Sequence, residues 1–490
     1  MSTPGDGLAR GMGRLVPRAM QRLVPRAIQR LVPRPLADAA QRPALLAWLG
    51  VGLAIRFALM PFAVSADMLA VYWRSHLIAH HGEVFGSYLV NMGAHYLHAA
   101  WLWLAQPFLP AAESVWTHPW WWSDSSALAP QIERAFVTAT HAPMTLLVLK
   151  VPYLLADLGA GLLLLALVAD RAPHLARRAW AFWMLSPIGI YASFIFGRYE
   201  AMAVVLVVAA LWACEREHPW WGAVLLGLAI TVRGYPLLLL PLFAFMAVQG
   251  VRRHVAWAAV ALAPFALVMA SNQLLAGTVG ELARLKDFHT GSTFFAYSIP
   301  VDGVGQLSIF FLFAFAAYGA VAGRALGWWG RAVGRADLWL WLLAFHAGMF
   351  ALSTFSAHYF MWFTPFVALA LARRPNWHGV LPLHLAQVLV VLAIADVLGG
   401  PGTTWGLFSP INPDLAGAWP NLREVLLGSG VADRVVGLLR SGFVVLTLLI
   451  VWPALAELHD GARPAEAPRR QSGRATHEDD PQQREAGNIV

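Results

Sequence analysis

The chain has 490 residues, of which 58% are hydrophobic and only 13% charged, and a formal charge of +8. A soluble fold exposes charge over most of its surface, so this balance excludes a water-soluble globule and makes lipid the solvent. The positive excess is what cytoplasmic Lys and Arg supply in a membrane protein and does not argue for nucleic acid, while the lone Cys214 excludes an internal disulfide and a cysteine-based metal site.

Residues 1–43 form a basic arm. Arg14-Leu-Val-Pro-Arg-Ala-Met-Gln repeats from Arg22 and again from Arg30, with a period of eight. Pro17, Pro25 and Pro33 prevent a continuous helix, and the arginines suit an anionic lipid surface. A disordered or interfacial cytoplasmic arm is expected. The apolar run 44–64 follows. It ends at Val64-Ser-Ala66, which resembles a signal cleavage site, but its length and Arg56 favour a retained span over a signal peptide.

Further spans are expected near 144–168, 179–197, 199–214, 220–232, 235–248, 255–276, 307–323, 338–355, 358–372, 380–398 and 436–456. The fold class is therefore all-α: a polytopic membrane bundle of about 12 segments over 44–456, with 457–490 as a disordered cytoplasmic tail. Charge tests this register. The arginine arm, Arg171/Arg177/Arg178, Arg216, Arg252/Arg253, Arg324/Arg331/Arg335 and Arg373/Arg374 all fall on one side, which positive-inside bias makes cytoplasmic. The agreement requires a break at Arg233-Gly234-Tyr235-Pro236, because one continuous helix would place Arg252 and Arg253 outside. Broken helices occur at membrane depth where they line a cavity.

Three sizeable loops, about 65–143, 277–306 and 399–435, then lie outside. The first holds a moderately apolar stretch, Ala94 to Leu109, expected as an interfacial or half-inserted helix, since a full span would invert every later loop. Trp116, Trp120, Trp121 and Trp122 belong at the headgroup level; stacking on a sugar is the rival use.

Ionisable residues within or beside spans are costly and therefore informative. Several share the outer side: Asp67, Tyr72 and Arg74 after the first span; Arg198-Tyr199-Glu200 at a turn; Arg233 at the break; Arg284, Lys286, Asp287 and His289 in the second loop; and His358-Tyr359 at the start of another span. A carboxylate among cations suits transfer from a phosphate-linked donor. The carboxylate, Asp67, takes a proton from a hydroxyl, and Arg or Lys stabilises charge growing on the departing phosphate. On this reading Arg198, Arg233, Arg74, Lys286, His358 and Tyr359 bind donor, while Tyr72 and Glu200 face the acceptor. Each has a structural alternative. Asp67 could cap a helix or pair with an Arg, Arg198 and Glu200 could form an ion pair, and Arg233 could satisfy carbonyls freed by the break. Arg284 and Lys286 could touch headgroups. His346 reads as a hydrogen-bonded core residue, and Lys150 and Asp157, seven apart on one helical face, read as structural.

At these residues the chain resembles the GT-C superfamily of membrane glycosyltransferases, above all the polyprenol-phosphate-mannose-dependent mannosyltransferases of phosphatidylinositol-mannoside type, and more distantly the GPI-anchor mannosyltransferases. The resemblance runs through most of 44–372. It is carried by Asp67…Gly82…Tyr88, Lys150-Val-Pro152…Asp157, Phe196-Gly-Arg-Tyr-Glu200, Gly227-Leu-Ala-Ile-Thr-Val-Arg-Gly-Tyr-Pro236 with Pro241, and His358-Tyr-Phe-Met-Trp362…Pro365. It implies an inverting transfer of a sugar, with mannose expected, from a polyprenyl-phosphate donor to a hydroxyl of a lipid or glycan. Asp67 would be the base, and His358 with nearby cations would hold the donor. The chain departs from related ones at Gly197-Arg-Tyr-Glu200, where a Gly-Gln-Tyr-Asp-like turn is common, and at His95-Tyr96-Leu97, where a Tyr-Pro-Pro-like element is. Without an Asp-x-Asp pair around Asp67, no metal is assigned. The implied place is a bacterial plasma membrane, with both termini cytoplasmic and the site outside. The rival readings are a transporter or lipid flippase, which calls for repeated broken helices in two halves, and a non-enzymatic subunit of a surface-polymer complex, which has no use for Asp67.

Overall fold

The computed structural model describes residues 38, 40–82, 84, 91–109, 136–138, 141–169, 173–276, 293–303, 305–328, 333–373, 377–415 and 428–460. Most of the basic arm, Tyr88, the four outer-loop tryptophans, Lys286 and its neighbours, and the tail beyond Asp460 lie outside the described residues.

The fold is mostly helical. Helix α1 (Arg42–Leu59) is followed by α2 (Ala66–His76), which runs into a π turn at Leu77–His81, and then by α3 (Met92–Ala105). Next come α4 (Ala142–Leu149), α5 (Val151–Ala169), α6 (Ala176–Met184) and the short α7 (Pro187–Ile190), which continues as a π segment at Tyr191–Ile195. Helices α8 (Glu200–Glu215), α9 (Pro219–Val232), α10 (Pro236–Ala247) and α11 (Val251–Ala276) complete the first half. A hairpin of β1 (Ser298–Val301) and β2 (Gly305–Ser308) leads into α12 (Ile309–Ala325), α13 (Leu338–Ala351), a 3₁₀ segment at Ala357–Trp362, α14 (Thr364–Arg373), α15 (Trp377–Gly399) and α16 (Gly428–Asp460).

Helices cover most of the expected segments, with differences that have physical causes. The expected break is present: α9 stops at Val232, Arg233 adopts an extended backbone (φ −145°, ψ 145°), and Pro236, which has no N–H to satisfy, opens α10. The run 144–168 is interrupted at Lys150, and 179–197 breaks at Ser186, where Pro187 starts a new turn capped by the Ser186 hydroxyl. The expected start of a span at His358 is instead 3₁₀ structure, with the α-helix beginning at Thr364. Five helical stretches are long and apolar enough to cross a membrane by length and composition: Arg42–Leu59, Ala142–Ala169, Val251–Leu275, Gly379–Gly399 and Gly430–Pro453. Pro219–Val232, Pro236–Ala247 and Ile309–Ala325 are apolar but shorter. These helices make the chain a membrane protein.

Two expectations need correction. The all-α reading missed the antiparallel hairpin, in which Ser298 pairs with Ser308 and Val301 with Gly305. Its signal was legible: Asp302-Gly303 sits between two short runs, and Gly303 takes the positive φ (75°) that such a turn requires. The tail expected to be disordered from 457 is helical to Asp460, because α16 continues past its apolar stretch.

A large core runs through the bundle, with α8 packed between α5 and α9, and α9 against α11. Gly227 permits the α9–α11 crossing: a Cβ there would lie 2.2 Å from the Ala261 carbonyl. Buried polar groups act as ties. Arg56 of α1 donates from Nε to Asp157 of α5 at 2.8 Å and from Nη1 to the Met184 carbonyl at 2.7 Å. Trp183 donates to the Asp157 carbonyl at 2.9 Å, and Trp180 to that of Leu45 at 3.0 Å. Helix α3 buries His95, His98 and Leu102 and turns Trp103 and Leu104 outward.

Candidate active site

The site begins where α2 starts. Ser65, with an extended backbone, accepts the Met68 N–H on its hydroxyl at 3.1 Å and so caps the helix. That assignment matters for Asp67, since the cap is already supplied and its carboxylate is left to face outward. The Asp67 side chain is 54% exposed.

Arg198 is brought to Asp67 by the turn after the π segment. Phe196 donates its N–H to the Tyr191 carbonyl at 2.7 Å and Arg198 to that of Ala192 at 2.9 Å, closing a tight return between them. Gly197 makes the return possible. Its φ of 74° lies in the left-handed region, and a Cβ would meet the Met68 sulfur at 2.5 Å. Arg198 Nη1 donates to the Asp67 carbonyl oxygen at 3.3 Å and stands 3.7 Å from the Asp67 carboxylate. Its Nε has no hydrogen-bond partner among the described residues.

A second, fully buried cluster lies behind this pair. Glu200, in the first turn of α8, accepts from Nε of Arg233 at 3.0 and 3.2 Å and also from Nη2. Trp362 donates its indole N–H to Glu200 Oε2 at 2.5 Å, and His358 Nε2 lies 3.9 Å from Oε1. The Arg233 guanidinium is sandwiched between Tyr199 (4.5 Å to the ring centre) and Tyr359 (5.0 Å). Behind Tyr359, Trp362 stacks at 4.7 Å, and Tyr235 stacks on Trp362 at 3.8 Å. His358 stacks on Phe196 at 4.5 Å, which joins the buried cluster to the Asp67–Arg198 turn.

A cavity of about 330 Å³ opens in front of these groups, within the range of small-molecule sites. Asp67, His358, Ser356, Thr403 and Arg440 supply its polar lining. Val391, Ile394, Ala395 and Leu398 form an apolar wall, and their spacing puts them on one face of α15. Tyr191 donates to the Thr403 carbonyl at 2.8 Å and so joins the π segment to the far end of that wall.

The structure thus brings together Asp67, Arg198, Glu200, Arg233, His358 and Tyr359. It does not bring Tyr72: the ring is fully buried, its hydroxyl donates to the Leu149 carbonyl, and it meets His98 edge-on at 4.7 Å. Glu200 is likewise buried, in its pair with Arg233. Arg74 lies half-buried on α2, near enough to act electrostatically on His95. His346 is the hydrogen-bonded core residue expected, with Nδ1 2.7 Å from the Leu342 carbonyl. Lys150 and Asp157 also hold structure, Lys150 by donating to the Ala63 and Phe194 carbonyls.

Arg440 was missed. It lies in Gly437-Leu-Leu-Arg-Ser-Gly-Phe, near the start of the last expected span, where a charge beside an apolar run is itself a functional signal.

Residues 135–279 match the family model of glycosyltransferase family 87. No curated protein and no solved structure matches the chain. The matched segment holds Lys150, Asp157, Arg198, Glu200 and Arg233; Asp67, His358 and Arg440 lie outside it. The match supports a glycosyltransferase of the GT-C-like kind, working among membrane helices.

Proposed function

We propose that the chain transfers a sugar, mannose on the strength of the resemblance, from a polyprenyl-phosphate donor to a hydroxyl of a lipid or glycan. One observation carries this reading: the open carboxylate of Asp67 shares a cavity with His358 and Arg440 beside an apolar wall on α15. A phosphate-linked sugar on an isoprenoid tail needs such a combination, with polar groups for the head and an apolar surface for the chain.

The transfer is a single displacement. Asp67 accepts the acceptor's hydroxyl proton while the hydroxyl oxygen bonds to the anomeric carbon. The bond from that carbon to the phosphate oxygen breaks, and its electron pair leaves with the polyprenyl phosphate. Attack opposite the leaving group inverts the anomeric centre. Arg198, 3.7 Å from the Asp67 carboxylate, fixes its direction. Glu200 and Arg233 are assigned a supporting role, holding Tyr359, Trp362 and His358 in place. The site lies on the extracytoplasmic face of a bacterial plasma membrane, with both termini cytoplasmic, in keeping with the sorting of the basic clusters.

Purified protein incubated with a panel of radiolabelled polyprenyl-phosphate sugars tests the reading. Labelled product with at least one donor is expected. Failure with every lipid-linked donor, alongside transfer from a nucleotide sugar, would overturn it.

A further inference from the structure

We propose that Arg440 is the residue that holds the donor's phosphate. This rests on the function proposed above and refines it by naming the cation.

Three arginines stand near the cavity, and their partners separate them. Arg233, the donor cation expected from the sequence, is spent on Glu200 in a buried pair and does not line the cavity. Arg198 is committed to Asp67. Arg440 lines the cavity and meets only neutral groups. Its Nε donates to the Tyr297 hydroxyl at 3.2 Å, its Nη2 donates to the Ser353 carbonyl, and its guanidinium lies 4.9 Å from the Phe355 ring centre. No carboxylate lies within ion-pair distance of it among the described residues. Neutral anchors on Nε and Nη2 fix the direction of the guanidinium and leave its charge uncompensated. An anion is the complement such a group lacks.

The position also suits the chemistry. Arg440 comes from α16 and Asp67 from α2, so the cation and the base enter the cavity from different elements. Displacement at the anomeric carbon needs the base and the departing phosphate on opposite sides of the sugar. The α15 wall then leads away from the phosphate as the path for the first isoprene units. As the glycosidic bond breaks, the phosphate passes from a diester with one negative charge to a monoester carrying more. A fixed guanidinium therefore binds the departing group more tightly than the intact donor.

Farnesyl phosphate serves as probe, with farnesol as its phosphate-free counterpart, on purified full-length protein. Wild type should bind farnesyl phosphate, and Arg440→Gln should bind it roughly tenfold or more weakly, with Arg440→Lys between the two because it keeps charge but not the fork. Farnesol binding should be the same in all three. Equal farnesyl phosphate affinity in wild type and Arg440→Gln would overturn the proposal. Because Arg440 also ties Ser353 and Tyr297, a second measurement avoids the variant altogether. In wild type, farnesyl phosphate but not farnesol should protect Arg440 from phenylglyoxal, read by peptide mass spectrometry; equal modification with and without the phosphate would again overturn it. The two readings fail separately. Sugar transfer by wild type with Arg440→Gln unchanged in donor KM removes only Arg440. Protection of Arg440 in a protein that transfers no sugar keeps the phosphate site and removes the enzyme.

Discussion

Arg198 holds Asp67 at two points, by a 3.3 Å hydrogen bond from Nη1 to its main-chain carbonyl and by a 3.7 Å approach of the same nitrogen to its carboxylate. The carboxylate is therefore oriented from one side and open on the other, as a base that must meet a substrate proton requires.

Asp67→Asn tests that role. The amide keeps nearly the same volume and hydrogen-bonding reach but cannot take the proton, and a positioned base contributes ~10²–10⁴-fold. Turnover should fall by that order while melting temperature and donor binding hold. Transfer at near wild-type rate would remove Asp67 as the base. Loss of folding would return it to a structural part, which the Ser65 cap argues against.

Arg233 and Glu200 should behave as a structural pair. Arg233→Ala leaves a fully buried carboxylate without its cation, a change that costs ~3–5 kcal/mol. Thermal stability in detergent should drop sharply, and adding Glu200→Gln to an Arg233→Met variant should recover part of it. If Arg233→Ala melts as wild type does and only the donor KM rises, Arg233 touches substrate instead.

Gly197→Ala should cost activity beyond its effect on stability. A left-handed backbone is strained for alanine by about 1–2 kcal/mol, and the new methyl group meets the Met68 sulfur at 2.5 Å. Relief of that contact moves α2 against the turn, and with it Asp67 against Arg198. Lower turnover at modest loss of melting temperature is expected; unchanged turnover would mean that the pair tolerates displacement.

His76, at the end of α2, gives a pH dependence. Burial, then its neighbours His80 and His81, push its pKa down to about 4, below its ordinary value near ~6.5. The unfolded chain therefore binds the proton more readily. Its contribution to stability is present above ~6.5 and is lost as pH falls through that value toward about 4. Melting curves across this window should show a shallower decline for His76→Phe than for wild type. Parallel curves would exclude His76 as a source.

Membrane orientation has its own test. In a Cys214→Ser background, a cysteine at position 120 should react with an impermeant reagent from outside, and cysteines at 20 or 475 should not. Labelling at 475 would reverse the topology.

The helices were legible because apolar length is a direct consequence of lipid as solvent. The break at Arg233 was legible because Arg, Gly and Pro coincide there with a conflict in loop charge. The partition of the charged residues was harder to read. Whether Arg233 faces a ligand or Glu200 depends on how α8 and α9 rotate against each other, and no local pattern specifies that rotation. Tyr72 looked available because it follows Asp67 by five residues, yet the α2 periodicity turns it inward to Leu149. Arg440 had a usable signal that was passed over among the apolar residues around it. The hairpin was overlooked because loop 277–306 was read only for its charges.

The junction at Lys150 bears on how a substrate could enter. Its ammonium group holds the Phe194 carbonyl at 2.7 Å and also the carbonyl of Ala63, just ahead of the segment carrying Asp67. Three stretches of chain distant in sequence are thus pinned to one nitrogen, which ties the segment before Asp67 to the segment before Arg198. On the proposed function, the donor's lipid is expected to enter from the opposite side, where α15 and α16 line the cavity.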